Sequence, residues 1–286
     1  MNYLAKSFKL LTSTIILLLG VNHANAERAI ISHDRKADGF WKTERAKFLD
    51  DPIFNDKLLE AASNTSSKNE ISTPQEASAK ITQLILAELS SEKGVHIETA
   101  LATLGALSGF SCQMAIREAF VKSGKISLDD AFVVVETNSN EKFYMGPLLN
   151  ECIVSNKQGQ HSVWGFIGGA VQSLEKPLPE LEPIFARTSA TIGGDEFAKF
   201  EVADKNQPHF PSEELLWKYW NITRNILMVN DQDPMFWPFI LGISTQQIIL
   251  QGKNAIDPSL AAKIAMEAAI PMSKIDPQRI HAASLE

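Results

Sequence analysis

The sequence predicts a mainly α fold, a helical bundle-like body carrying one β-hairpin, with an α+β arrangement as the alternative. Three observations lead there. Asp-Pro recurs at Asp51, Asp233, Asp257 and Asp276, each ahead of a helix-compatible segment. Asp accepts from the free amides of a first helical turn and Pro needs no donor there, so these pairs read as helix starts. The stretch Val95 to Val121 is the most apolar after the N-terminal run, with only Thr103 and Ser108 polar between Ala100 and Phe110, and a helix of that composition has to be surrounded by others. Finally, Phe132–Glu136 (FVVVE) and Lys142–Met145 (KFYM), set about an Asn/Ser loop, are the one convincing pair of strands.

The chain begins with Lys6 and Lys9 and no acid, continues through an apolar run from Leu10 to Val21, and reaches Ala24-Asn25-Ala26. These are the parts of a secretory signal peptide over residues 1–26. The apolar run falls short of the roughly 20 residues a bilayer span needs, so a cleaved leader is expected, with no stable membrane anchor afterwards. Residues 27–62 read as an N-terminal helical arm, with apolar pairs from Phe40-Trp41 to Leu58-Leu59, and 63–72 (SNTSSKNEIS) as a linker. The main domain is expected over 73–286.

That domain opens on Thr73-Pro74-Gln75-Glu76, a capping box with Pro at the first helical position, for a helix to about Leu89. Gly105 and Gly109 in the apolar stretch let a neighbouring helix approach closely. A short helix is expected at Pro147–Val154 and further ones at Ser162–Leu174, Pro179–Ile192, Ser212–Val229, Pro234–Leu250 and Pro258–Ile270.

Composition narrows function mainly by exclusion. With 27 Lys and Arg against 34 Asp and Glu, the net charge is −7, which excludes a strongly basic nucleic-acid binder. Losing Lys6 and Lys9 with the leader takes the mature chain to −9. A hydrophobic fraction of 44% and 15 Gly with 13 Pro exclude a disordered or collagen-like chain. The only cysteines, Cys112 and Cys152, are 40 residues apart. In an exported protein they permit one disulfide; two buried free thiols are the alternative.

Gly193-Gly194-Asp195-Glu196-Phe197 spells GGDEF and resembles the signature of the diguanylate cyclase family. The resemblance covers five residues and implies glycines that admit GTP and acids that bind metal, on a hairpin of an α/β domain. Read from the residues, Gly193-Gly194 ends a helix and leaves Asp195 and Glu196 solvated. Cys112 with His96, His161 or His209 is a conceivable nucleophile and base, although burial in an apolar helix raises a thiol pKa and makes it inert. Neither HExxH nor Cys-x-x-Cys occurs, and no P-loop or GxGxxG, so no metal or cofactor is expected. The candidate binding groove is the helical stripe Trp217, Trp220 and Arg224. The leading expectation is a periplasmic or secreted, non-enzymatic binding or assembly protein, its partner a protein, a peptide or a small molecule. A hydrolase using His and acidic residues is the alternative.

Overall fold

Thr73 opens the described part of the chain with the expected capping box: its hydroxyl accepts the Glu76 amide at 3.2 Å, and the Glu76 carboxylate accepts the Thr73 amide at 2.7 Å. Two first-turn donors are thus satisfied reciprocally, and Pro74 adds none. The structure, a computed structural model, describes residues 73–92, 94–155, 161–230 and 232–283. The leader, the arm and the linker read from the sequence lie outside these residues.

Helix α1 (Pro74–Glu88) leads into a miniature antiparallel pair, β1 (Ser90–Ser91) and β2 (Gly94–Val95), which the sequence did not predict. α2 (Ile97–Ile116) follows and runs on into a π-helical turn at Arg117–Val121. Every residue of α2 from Thr99 to Ile116 is buried. With no solvent face, its hydroxyls bond back to its own backbone, Thr103 to the Thr99 carbonyl at 2.8 Å and Ser108 to the Leu104 carbonyl at 2.7 Å. The stretch Ile97–Val121 is long and apolar enough to cross a membrane; here its apolar window is buried among the surrounding helices.

Beyond α2 come α3 (Leu128–Ala131), β3 (Val133–Glu136), β4 (Lys142–Met145), α4 (Pro147–Ile153), α5 (Val163–Ser173) and α6 (Glu182–Ala190). α7 (Ser212–Val229), α8 (Trp237–Gly252), α9 (Pro258–Met272) and α10 (Pro277–Ala283) complete the body. The fold is therefore mainly α with small antiparallel sheets, as expected. Asp233, Asp257 and Asp276 each accept an amide two residues on, at 2.8 to 3.0 Å, so three of the four Asp-Pro pairs do start helices; Asp51 lies outside the described residues. The helix expected from Pro179 begins instead at Glu182. A residue before proline is disfavoured in the α region, and with Pro177 and Pro179 in the segment, residues 176–181 form no helix.

α2 is the axis of the body, wrapped by α7, α8 and α9. Its two glycines set the tightest contact. A Cβ on Gly105 would come within 2.9 Å of the Ala265 Cα, and one on Gly109 within 2.7 Å of the Ala269 Cα. α9 therefore lies backbone against backbone on α2, as the glycine spacing predicted. On another side Cys112 of α2 is bonded to Cys152 of α4, with Cα atoms 5.7 Å apart, within the range a disulfide requires. The Gln113 amide donates to the carbonyls of Ser273 (2.9 Å) and Ile275 (3.1 Å), fastening α2 to the segment between α9 and α10.

That segment positions the hairpin. β3 and β4 pair antiparallel from Val133 with Met145 to Glu136 with Lys142. On its other side β4 meets Ile275 through Phe143, and the Tyr144 amide donates to the Lys274 carbonyl at 2.8 Å. The Arg117 guanidinium covers the Tyr144 ring at 4.1 Å. β4 is thus held from both sides, and β3 is left as the edge.

Candidate functional site

The predicted aromatic stripe divides on folding. Trp217 is 38% exposed, while Trp220 is 1% exposed, edge-on to Phe110 at 4.8 Å and to Trp237 at 6.2 Å. Arg224 is buried as well. Helical spacing puts the three on one stripe, but that stripe turns into the core at Trp220, leaving Trp217 alone to offer a ring face to solvent.

Of the candidate histidines, the fold brings two together. The rings of His96 and His209 stack at 3.7 Å between centroids, 15° from parallel. Thr99 joins them: its hydroxyl lies 2.8 Å from His96 Nδ1 and accepts the His209 amide at 3.0 Å. Glu98 lies 3.3 Å from His96 Nε2. Burial pulls the His96 pKa below 6.5; Glu98 partly offsets this, and neighbouring His209 adds to the lowering. The sequence of acid, imidazole and hydroxyl is that of an activated nucleophile. However, Thr99 is 1% exposed and its oxygen is engaged by both His96 and the His209 amide, so the arrangement fastens the chain before α7 to the start of α2. His161 lies apart, against Phe166 and Phe239. Cys112 is in the disulfide. Among the described residues no group of three or more metal-type ligands converges.

Lys274 is a buried amine that sequence reasoning missed. Its ammonium donates to the Asn150 side-chain oxygen at 3.2 Å, and burial pushes its pKa down to about 8. An amine neutral near that pH is suited to carbonyl chemistry, but its burial closes it to a substrate.

Gly193 to Phe197 lie in a series of turns after α6 rather than on the sheet hairpin that the cyclase resemblance implies. α6 already ends at Ala190, short of the expected Ile192, with Thr191 as its cap; Gly193, at φ +73°, therefore does not end the helix but stands in the turn that the Gly194 amide closes on the Thr191 carbonyl at 3.0 Å, and Asp195 and Glu196 are exposed. The Phe197 ring packs on Phe143 of β4 at 5.0 Å. Buried Glu267 of α9 anchors the run that follows: its carboxylate accepts the Glu201 amide at 2.7 Å and lies 3.3 Å from Arg187, which also pairs with Glu201. A Cβ on Gly193 would press on the Thr137 side chain, so this acidic turn stands at the C-terminal end of β3.

The surface so framed is the outer edge of β3. Val133 is 61% and Val134 37% exposed, and Val135 is half-buried. Leu148 of α4 is exposed too. In an antiparallel strand alternate residues turn their main-chain donors and acceptors away from the partner. Among the described residues nothing bonds to that side of β3. Edge strands are ordinarily blunted by lysine, proline or a bulge; Val133-Val134-Val135 has none. The same three valines gave the strand its sequence signal, but nothing in the sequence told which of the two strands would be covered.

No family model, curated protein or solved structure matches this chain.

Proposed function

We propose that this chain is an exported, disulfide-bonded, non-enzymatic binding or assembly protein. The observation that carries the reading is the open, valine-lined edge of β3 on a hairpin whose other strand is fixed to the body. A strand edge of this kind supplies main-chain hydrogen bonds and apolar side chains together, which is what recognition of an extended partner uses. The leader of residues 1–26 and the Cys112–Cys152 bond support a periplasmic or secreted location, since disulfides persist in oxidising compartments. A hydrolase built on His96, Glu98 and Thr99 is the second reading; the buried hydroxyl weighs against it.

Two measurements test the proposal. Intact mass of the native product should correspond to a chain starting at Glu27 that takes up no alkylating agent until it is reduced. A photo-crosslinking residue at Val133 should give a discrete adduct in cells, and one at exposed Ala190 should not. Retention of Met1 would overturn export. Equal adducts at both positions, or none at Val133, would overturn the binding role.

A further inference from the structure

Resting on that reading, we infer that the partner of the β3 edge is an extended, cationic peptide segment, taken up as an added strand. The main-chain groups on the free side of Val133–Glu136 define the mode, because only an extended backbone can pair with them in series. Charge defines the partner. Asp129 and Asp130 are exposed just before β3, and at its far end stand exposed Glu136 and, beside Thr137, exposed Asp195 and Glu196. Lys125 precedes α3, Lys142 faces Glu136 across the hairpin, and Lys199 pairs with Glu196 at 2.6 Å. The acids still outnumber the cations, and both ends of the strand are acidic.

These charges also decide against a second copy of this chain as the occupant. Two β3 strands paired about a twofold axis through Val134, whose main-chain groups face outward, would set Glu136 of each copy opposite Phe132 of the other, toward its Asp129-Asp130 end. Like charges would then meet at both ends, between mature chains that each carry a net charge of −9. A peptide with alternating β-branched residues and lysines at its ends meets the valines in the middle and the acids at either side. On this reading the GGDEF turn contributes two acids and a packing phenylalanine to a peptide-binding edge.

The test uses the purified, disulfide-bonded full chain and three blocked peptides of about eight residues, long enough to span β3 and reach both acidic ends. One alternates Val and Thr with terminal lysines, the second carries glutamates in their place, and the third is the lysine peptide N-methylated at alternate amides. The lysine peptide should bind and slow hydrogen exchange at the outward-facing Val134 and Glu136 amides, and the other two should bind about tenfold or more weakly. The double variant Glu136→Lys/Asp195→Lys changes only exposed side chains and should lose about tenfold in affinity for the lysine peptide. Equal binding of the glutamate peptide, or no binding up to about 1 mM, overturns the inference. So does dimerisation, or protection of the outward-facing Val134 and Glu136 amides in the free monomer. A site-specific adduct at Val133 in cells alongside failure of the lysine peptide would remove the cationic strand and leave the binding role standing.

Discussion

Placing a methyl group on Gly109 tests the packing on which the whole body rests. The new Cβ would lie 2.6 Å from the carbonyl carbon of Ala269 and 2.7 Å from its Cα, whereas carbon atoms rest at about 3.5–4.0 Å. The obstacle is backbone on both sides, so no side chain can swing away, and α9 has to retreat from α2 by about 1 Å. A gap of 0.5–1 Å already forfeits about a quarter to a half of each dispersion contact along an interface. Gly→Ala inside a helix otherwise favours the fold by up to about 1 kcal/mol, and that gain is overwhelmed. Gly109→Ala should cost more than about 3 kcal/mol in urea unfolding, at the upper end of what overpacking costs. Gly169 of α5 is the control: a Cβ there meets only the Gln246 amide nitrogen at 3.9 Å, and Gly169→Ala should be neutral or stabilising. If Gly109→Ala unfolds at the same urea concentration as the parent, the close approach of α2 and α9 is refuted.

Lys274→Met removes a buried charge of similar volume. The folded amine titrates near 8 and the unfolded one near 10.5, so between those values the unfolded chain binds more protons and stability rises with pH. The variant should gain up to roughly 3 kcal/mol on the parent at pH 7, offset by the lost bond to Asn150. That advantage should shrink between pH 8 and 10.5, and an advantage constant across the range would contradict the buried-amine account. Glu98→Gln removes the one neighbour that raises the His96 pKa, so the His96 titration followed by NMR should move further below 6.5; an upward move would show that Glu98 does not face the ring. Trp220→Ala should cost about 3–5 kcal/mol, as for other core aromatic truncations, and Trp217→Ala less than about 1 kcal/mol. Thermal unfolding of the two variants separates a core ring from a surface ring, and equal losses would put both in the same environment.

Helix starts were legible because the signals are local. Asp233, Asp257 and Asp276 cap through bonds that span two or three residues, and Thr73 with Glu76 does the same, so neighbours in sequence suffice. Gly105 and Gly109 announced a close helix neighbour, since two missing side chains on one face leave room for nothing else. They did not say that the neighbour would be α9, some 160 residues on. The strands of the hairpin were legible from their β-branched and aromatic residues. Which strand would be covered depended on Ser273 to Asp276 returning to lie along β4, and no local pattern encodes that return. The Trp217–Arg224 stripe misled for a related reason: a 3.6-residue period fixes which residues share a helix face, while the partners that arrive decide whether that face meets water. By itself the sequence determined the class of fold, most helix boundaries and the pair of cysteines able to bond, all consequences of short-range geometry and of composition. Only the tertiary structure decided that His96 stacks on His209, that Lys274 is buried and that Val133–Glu136 is an open edge, because each depends on residues far apart in the chain meeting in space.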